Sequence, residues 1–285
     1  MRPEYITESF LQRFIQSALE EDIGDGDYST LATIPPDLSK KAKLLVKDDG
    51  ILAGISLAQS IFRQFDPSLK IQVLLSDGSP VKKGDIAFTV EGPAQSILTT
   101  ERLVLNCMQR MSAIATKTHH LTQLINGTKA KLLDTRKTTP NFRLLEKWAV
   151  LIGGGFNHRI GLYDMVMLKD NHVDMAGGIR QAIIRTKDYL RGRNKNLKIE
   201  IETRSLDEVR DVVDVGGIDI IMLDNMDTDT MREAIAIIGG RYQTEASGGI
   251  TEETIRAIAE CGVDFISVGA LTHSIHSLDL SLKAF

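Results

Sequence analysis

Apolar and polar positions follow three successive patterns over the first 127 residues. Residues 4–20 have apolar side chains at helical spacing, and residues 41–90 contain short apolar runs between the turn signals DDG, SDG and KKGD. A pattern of leucine, isoleucine and methionine at helical spacing then extends over 94–127. We therefore predict an amphipathic helix, an antiparallel sheet with a helix at about 56–65, and a long or broken helix that ends near Asn126.

After residue 131 short apolar runs alternate repeatedly with helical stretches. The strand candidates are KLLDTRK, MVMLKDN, KIEIETR, IDIIMLDN, YQTEASGG and FISVGAL. The helix candidates are 141–152, 176–191, 205–215, 228–238 and 251–261, with Ser205, Asp227 and Thr251 as N-cap residues. This alternation is typical of parallel βα units with right-handed crossovers. A small barrel of about six strands fits better than an open dinucleotide-binding sheet, because no GxGxxG follows a strand.

Together these patterns predict an α/β fold with two domains. We expect an incomplete, about six-stranded α/β barrel over 114–272, preceded by an N-terminal α+β open-faced sandwich domain over 1–113. The final segment, 273–285, is expected to pack back on the N-terminal domain. A chain of 285 residues can bury a substantial core in this arrangement.

Composition and charge narrow the possible functions. The chain has 42% hydrophobic and 25% charged residues, as ordinary globular proteins have, and a net charge of −4. An acidic chain argues against a nucleic-acid partner, which normally requires a broad basic face. No run approaches transmembrane length, and the polar start MRPEYITESF does not resemble a signal peptide. Cys107 and Cys261 lack metal-ligand spacing, so we expect buried thiols in a cytoplasmic protein with no membrane partner.

The stretch from Asp134 to His172 gathers cations at the ends of apolar runs. These cations are Arg136, Lys137, Arg143, His158, Arg159, Lys169 and His172. In an α/β barrel the active site lies at the carboxyl ends of the strands. Arginine pairs with carboxylate or phosphate in a bidentate manner, so the set is suited to a small polyanion. Any single member could equally be a surface charge, but the whole set favours a pocket.

Two acids and two turns follow the later strands. Glu202 and Asp224 end neighbouring strands, where a carboxylate pair holds Mg²⁺ or faces positive charge developing on a sugar carbon. The alternative is a helix cap at Asp224 and a surface acid at Glu202. Ser247-Gly248-Gly249 and the turn from Gly269 to His273 each lie between a strand and a helix. Backbone N–H groups in such turns bind phosphate, with His273 as a further donor, although plain turns are the alternative.

The motifs DTRKTTP, EKWAVLIGGG-NHR and LKDNH resemble those of the quinolinate phosphoribosyltransferase family, the carboxylating nicotinate-nucleotide pyrophosphorylases. The resemblance continues through EDIGDGDYST, ERLVLNCMQRMSAIAT, IEIETRSL, IMLDN, EASGGIT and VGALTHS. It departs at Asn141 and Trp148, where Gly and Tyr are expected. The resemblance implies an enzyme that converts quinolinate and 5-phosphoribosyl-1-pyrophosphate (PRPP) to nicotinate mononucleotide, CO2 and pyrophosphate in NAD synthesis.

The resemblance also assigns roles to individual residues. The residues it implies for quinolinate are Arg136, His158, Arg159 and Lys169, with Arg102 from a neighbouring subunit. Thr135 is a further substrate-binding residue. Those it implies for catalysis are Lys137 near the pyrophosphate and Glu202 and Asp224 at the ribose and Mg²⁺. Ser247, Gly248, Gly249, Gly269 and His273 would bind the phosphate of PRPP. The implied assembly is a homodimer with shared active sites, or a hexamer.

Two alternatives stay open on the sequence. Lys169 on a barrel strand could form a Schiff base with a carbonyl substrate, as in class I aldolases. The chain could also be a non-catalytic or altered-substrate pyrophosphorylase-like relative that binds a nucleotide or another anion. Such a relative would be expected to lack some of the substrate-binding cations, all of which are present here.

Overall fold

The computed structural model describes residues 2–285 and divides the chain into two compact units. The first unit comprises Met1–His119, Thr138–Gly154 and Ala270–Phe285, and the second comprises His120–Lys137 and Gly155–Gly269. The predicted domain boundaries, 1–113 and 114–272, stay predictions, because a division into compact units does not assign folding domains. The compact units differ from those limits most at 138–154, which lie with the first unit.

Helices and strands cover most of the described chain. The helices are α1 Glu8–Ile23, α2 Tyr28–Thr33, α3 Ile55–Phe65, α4 Ala94–Leu124, α5 Arg143–Ile152, α6 Asp170–Ala176, α7 Ile179–Gly192, α8 Leu206–Val215, α9 Thr228–Ile238, α10 Ile255–Glu260 and α11 Ala270–His273. The strands are β1 Ser39–Val46, β2 Gly50–Ile51, β3 Lys70–Val73, β4 Pro80–Val81, β5 Ile86–Pro93, β6 Lys131–Leu133, β7 Val166–Leu168, β8 Ile199–Thr203, β9 Ile220–Asp224, β10 Gln243–Ser247, β11 Phe265–Ser267 and β12 Leu280–Ala284.

The first unit contains an antiparallel sheet in the order β12-β1-β5-β3. Strand β1 alternates buried and less buried positions, so one face of the sheet is apolar. The amphipathic helix α3 packs on apolar side chains of this sheet, and its Phe62 ring lies edge-on to Phe88 of β5 at 6.0 Å. The last strand of the chain, β12, pairs with β1 in the register Leu44 to Leu282. The N-terminal α+β domain of the predicted fold class is confirmed.

The second unit contains a parallel sheet in the order β6-β11-β10-β9-β8-β7. The first strand, β6, is thus hydrogen-bonded to the last, β11, while no ladder joins β6 to β7. This order is that of a six-stranded barrel with one pairing missing, which confirms the predicted incomplete barrel. All residues of β8 and all but the last of β9 are buried, as expected for parallel strands covered on both faces.

Helix boundaries show where the sequence patterns were sufficient. Ser205 and Asp227 accept hydrogen bonds from the first turns of α8 and α9, which confirms both N-caps. The prediction of Thr251 as an N-cap was wrong, because α10 begins at Ile255 and its N-cap residue is Thr254. The short helices α2 and α6 were not predicted. Cys107 and Cys261 are buried free thiols, as expected.

Two further observations bear on the predictions. Asn141, where the family pattern has Gly, adopts a positive φ of 62°, a conformation that Asn tolerates better than most residues. Across residues 2–285, no helix combines the length and the apolar composition needed to cross a bilayer.

Candidate active site

A cavity of about 320 Å³ opens at the carboxyl ends of the barrel strands. Its lining residues are Thr135, Arg136, Lys137, His158, Arg159, Met167, Lys169, Met222, Glu245 and Ser267. The cavity therefore brings together six of the predicted substrate-binding residues. These are Thr135, Arg136, Lys137, His158, Arg159 and Lys169. All of them lie in the second unit, so the barrel itself builds the cavity.

Buried Asp134 fixes two of the loops that form the cavity. It follows β6 directly, and its side chain is fully buried. One carboxylate oxygen accepts the backbone N–H of His158 at 2.8 Å, and the other accepts the side-chain amide of Asn157 at 2.7 Å. The loop that delivers His158 and Arg159 is thereby attached to the strand end that delivers Thr135, Arg136 and Lys137.

Two arginines face the same cavity. Burial and the nearby charge of Arg136 lower the pKa of Arg159. Its guanidinium donates to the Met165 carbonyl at 3.2 Å and contacts the Met167 sulfur at 3.7 Å, neither of which carries a formal charge. Two guanidinium groups held close together repel each other, and a ligand with two negative charges bound between them would offset that repulsion.

His158 connects the cavity to a buried pair of carboxylates. Its Nε2 lies 2.9 Å from Glu200 Oε2 and 3.4 Å from Glu245 Oε2, and both glutamates are fully buried. Burial lowers the pKa of the His158 ring, but the hydrogen bonds and charges of Glu200 and Glu245 outweigh this and raise it to about 10. Burial and the charge of Glu245 raise the pKa of Glu200 to about 7. The cluster therefore carries shared protons beside an otherwise cationic cavity.

Lys169 and two acids form the neighbouring part of the site. The Lys169 ammonium, half exposed, lies 3.5 Å from Glu202 Oε2. Burial raises the pKa of Glu202, the charge of Lys169 lowers it, and the charges of Asp224 and Asp170 raise it further. Asp224 is thus close enough to influence Glu202, as the strand-end argument predicted. Asp224 also accepts the Asn225 side-chain amide at 2.6 Å.

The Ser247-Gly248-Gly249 turn needs glycine for steric reasons. Gly248 has a φ of 91°, and a Cβ there would come within 2.3 Å of the Asn225 side chain. Gly249 also has a positive φ, 58°. Ser247 is in register with Asp224 on the neighbouring strand, so this turn follows the same edge of the barrel as the acids. Gly269 ends the second unit, just before α11.

Arg102 and His273 belong to the first unit. Both are exposed, Arg102 on α4 and His273 on α11, where its Nδ1 lies 2.7 Å from the Ser274 hydroxyl. Glu202, Asp224, Ser247, Gly248, Gly249 and Gly269 are not among the lining residues of the cavity. Their roles, and those of Arg102 and His273, stay predictions.

Sequence reasoning missed the acids in the floor of the site. Glu245 was noted only as a polar residue near the end of its strand and was given no role. Glu200 was read as part of a strand, as were the lining residues Met167, Met222 and Ser267. The signal available was strand alternation. Glu200 is two residues before Glu202 on β8, and Glu245 is two residues before Ser247 on β10, so each shares a face with a predicted site residue.

The fold and the cavity together define an α/β-barrel protein with a site for a small polyanion. Family models agree with this class: the quinolinate phosphoribosyl transferase N-terminal domain matches residues 27–112, and the C-terminal domain matches residues 114–283. The chain belongs to the quinolinate phosphoribosyltransferase family.

Individual relatives resemble the chain over most of its length. A chloroplastic nicotinate-nucleotide pyrophosphorylase (carboxylating) of Oryza sativa subsp. japonica is 49% identical over 288 residues, covering 96% of this chain and 77% of the relative. A probable nicotinate-nucleotide pyrophosphorylase (carboxylating) of Bacillus subtilis (strain 168) is 40% identical over 272 residues, covering 95% and 92%. The solved structure of the nicotinate-nucleotide pyrophosphorylase from Francisella tularensis superposes with a TM-score of 0.91 at 40% identity, covering 98% of each chain.

Proposed function

We propose that this protein is a decarboxylating quinolinate phosphoribosyltransferase. It joins quinolinate to PRPP and releases nicotinate mononucleotide, CO2 and pyrophosphate, a step of de novo NAD synthesis. The names of the curated relatives and the match of both family domains support this reaction. The structural observation that supports it is the close placement of Arg136 and Arg159 in one cavity, because a ligand with two carboxylates satisfies both.

The reaction needs positioning and electrostatic stabilisation rather than a protein nucleophile. The pyridine nitrogen of quinolinate attacks C1 of the ribose as the bond to pyrophosphate breaks, and the 2-carboxylate then leaves as CO2. Its bonding electrons stay on the ring carbon, stabilised by the adjacent cationic nitrogen, until a proton replaces them. Thr135, Arg136, His158, Arg159 and Lys169 hold quinolinate in this proposal, and Lys137 stabilises the departing pyrophosphate.

The carboxylates of Glu202 and Asp224 have the chemistry of a Mg²⁺ site. They are oxygen donors at neighbouring strand ends, and the charge of Asp224 raises the pKa of Glu202, a repulsion that a divalent cation would relieve. Bound there, Mg²⁺ would supply positive charge for the pyrophosphate oxygens. The same acids face the ribose carbon where positive charge develops.

The remaining parts of the proposal concern phosphate binding and assembly. Ser247, Gly248, Gly249, Gly269 and His273 are assigned to the 5-phosphate of PRPP, since backbone N–H groups at such turns bind phosphate. Arg102 is assigned to the quinolinate of a neighbouring subunit in a homodimer, with a hexamer as the larger assembly. A cytoplasmic location, inferred from composition, completes this proposal.

The Schiff-base alternative has no support in the geometry. A lysine that attacks a carbonyl must lose its proton, and such lysines are usually desolvated in an apolar pocket. Lys169 is half exposed and forms an ion pair with Glu202 at 3.5 Å, so it does not lie in an apolar pocket.

A substrate comparison tests the proposed function. Purified protein with Mg²⁺ and PRPP should consume quinolinate rapidly and leave nicotinate, which lacks the 2-carboxylate, essentially unused. An Arg159→Ala variant should bind quinolinate more weakly by about 1.5–3 kcal/mol, the usual value of a charged hydrogen bond. Equal use of nicotinate and quinolinate would contradict the proposed recognition of two carboxylates.

A further inference from the structure

We propose that Arg110 of α4 is a positioning residue for PRPP, because it binds two chain segments that adjoin residues assigned to that substrate. This inference rests on the proposed function, which assigns the pyrophosphate of PRPP to Lys137 and its 5-phosphate to His273. Arg110 itself makes no contact with PRPP in this proposal. Sequence reasoning gave Arg110 no role.

One edge of the Arg110 guanidinium donates to three different acceptors. Its Nε donates to Glu146 Oε1 at 2.7 Å, and its Nη2 donates to the Thr139 hydroxyl and to the Thr272 carbonyl, each at 2.9 Å. Nε carries one proton and Nη2 carries two, so each proton on this edge has one acceptor. Because the guanidinium is planar and rigid, it directs these protons in fixed directions. The three acceptors are therefore held in one arrangement.

Buried Glu146 fixes the position of this guanidinium. The Glu146 side chain is fully buried, whereas the Arg110 side chain is 30% exposed. A buried carboxylate without its cation is strongly unfavourable, so the pair stays formed. The second carboxylate oxygen of Glu146 accepts the backbone N–H of Thr139 at 3.2 Å. Thr139 is thus bound to Arg110 through its hydroxyl and to Glu146 through its N–H.

The first of the two segments leads away from Lys137. Thr138 follows Lys137 directly, and Arg143 Nε, at the start of α5, donates to the Thr138 hydroxyl at 2.9 Å. Thr139 comes next and has the two contacts with Arg110 and Glu146. All of these contacts lie within the first unit. The chain is therefore attached to α4 and α5 within two residues of Lys137, which restricts where the Lys137 backbone can lie.

The second segment is the short helix α11. Its Thr272 is fully buried, and the Thr272 carbonyl accepts a proton from Nη2 of Arg110. His273 follows directly and is exposed. A helix of four residues is too short to be stable by its own hydrogen bonds, so α11 depends on such contacts for its position. One side chain of α4 thus binds the segment that leaves Lys137 and the segment that ends at His273.

The two substrates should depend on Arg110 to different degrees. A misplacement of about 1 Å in a binding group can lower a rate about a hundredfold, and both groups that adjoin the Arg110 contacts are assigned to PRPP. Quinolinate is assigned in large part to Arg159 and Lys169. Among the described residues, the side-chain hydrogen bonds of Arg110 go to neither of the segments that carry these two cations. Loss of the Arg110 contacts should therefore weaken PRPP binding more than quinolinate binding.

Substitutions of exposed Thr139 test the contact without disturbing the buried ion pair. Thr139→Val keeps the branched shape and removes the hydroxyl, while Thr139→Ser keeps the hydroxyl. Calorimetry with PRPP and Mg²⁺, without quinolinate, measures binding in the absence of turnover. Thr139→Val should raise the dissociation constant of PRPP about threefold to tenfold, the effect of one lost hydrogen bond, and Thr139→Ser should keep it within about twofold of wild type. Thr33→Val, which removes another exposed hydroxyl bound to a backbone carbonyl, is the matched control.

Fragments of PRPP locate the effect within the substrate. Thr139→Val should weaken pyrophosphate about as much as PRPP and leave ribose 5-phosphate within about twofold, since Thr139 adjoins Lys137 along the chain and not His273. The dissociation constant of quinolinate should also stay within about twofold. A variant that is merely less stable would lose binding sites in the titration or weaken all four ligands alike. Either of those results would overturn the proposal.

Arg110→Lys tests the residue itself while it keeps a cation beside Glu146. The single nitrogen of lysine cannot bind Glu146, Thr139 and Thr272 in the arrangement of the guanidinium, so PRPP should bind at least threefold more weakly. Thr139→Val should add less than about twofold in the Arg110→Lys background, because both changes remove the same contact. Multiplicative effects, or weakening by Arg110→Lys without any by Thr139→Val, would mean that Arg110 contacts PRPP directly and would overturn the positioning role.

The wild-type protein separates this inference from the proposed function. Wild type that binds neither PRPP nor quinolinate would refute the proposed function and this inference with it. Wild type that binds and converts both substrates, while Thr139→Val matches it in every dissociation constant, would refute the positioning role alone.

Discussion

Asp264 shows how a single carboxylate can connect β10 to the segments that precede β6 and β11. It accepts the Lys129 ammonium at 2.8 Å and both the N–H and the hydroxyl of Thr244 at 2.9 Å. Burial opposes its ionisation, but these hydrogen bonds and the charge of Lys129 outweigh burial and lower the pKa of Asp264. Since the folded-state pKa is below the unfolded value, the ionised group stabilises the fold above that unfolded value.

An Asp264→Asn variant should lose this contribution in a pH-dependent manner. At neutral pH its free energy of unfolding should fall by about 1–3 kcal/mol, measured by urea denaturation. The difference from wild type should shrink as the pH falls below about 4, because Asp264 then becomes protonated in the wild type. Asp211→Asn, on the exposed side of α8, is the control. A deficit that does not change between neutral and acid pH would contradict this account.

At the scale of single residues, the sequence showed which charged side chains gather at strand ends, but not which charged side chains are buried. The cations from Arg136 to Lys169 could be found because they stand out at the ends of apolar runs. Glu200 and Glu245 could not be distinguished from surface acids without the neighbouring strands that enclose them. Asn141 is an intermediate case: the family pattern implied Gly there, and the φ of 62° supplies the physical reason.

At the scale of elements, one buried ion pair connects several pieces of the first unit. Glu146 of α5 is fully buried and accepts Arg110 of α4 at 2.7 Å. Arg110 also donates to the Thr139 hydroxyl and to the Thr272 carbonyl, each at 2.9 Å. The pair therefore holds together α4, α5, α11 and the segment that follows Lys137.

Removal of the Arg110 side chain should strongly lower the stability of the fold, because it leaves the buried carboxylate of Glu146 without its cation. We expect Arg110→Met to lower the free energy of unfolding by about 3–5 kcal/mol, and Arg110→Met with Glu146→Leu to recover part of that loss. Arg232→Met, which removes the exposed pair with Asp229, should cost less than about 1 kcal/mol. Urea denaturation at neutral pH measures all of these. Equal costs for Arg110→Met and Arg232→Met would show that burial of Glu146 is not the decisive factor.

Helix prediction succeeded where a cap and an apolar stripe occur together. Helix α9 was predicted at 228–238 and has those limits, because Asp227 caps it and its apolar positions recur at helical spacing. Helices α2 and α6 have six and seven residues, too few for an apolar repeat to be recognised. The barrel strands were predicted one to four residues too long at their carboxyl ends, where the chain already turns toward the site.

At the scale of the whole molecule, a barrel of about six strands could be predicted from the βα rhythm, and segment 273–285 was expected to pack back on the N-terminal domain. The pairing of this segment with β1 as strand β12 could not be predicted, because its register depends on a strand that is distant in sequence.

The proposed shared site makes a further prediction about assembly. Arg102→Ala and Lys169→Ala variants, each inactive alone, should regain activity when mixed, because one hybrid site then has both residues intact. Arg159→Ala mixed with Lys169→Ala should not recover, since both residues belong to the same barrel. Absence of recovery in the first mixture, with subunit exchange demonstrated, would contradict a site shared between subunits.

The most direct measurement follows the 2-carboxylate of quinolinate during turnover. Quinolinate labelled in that carboxylate is incubated with the protein, PRPP and Mg²⁺, and labelled CO2, pyrophosphate and nicotinate mononucleotide are quantified together. The three products should form in equal amounts, and none should form when PRPP is omitted. Label retained in a ribosylated product, or no turnover by a folded protein that binds both substrates, would contradict the proposed decarboxylating transfer.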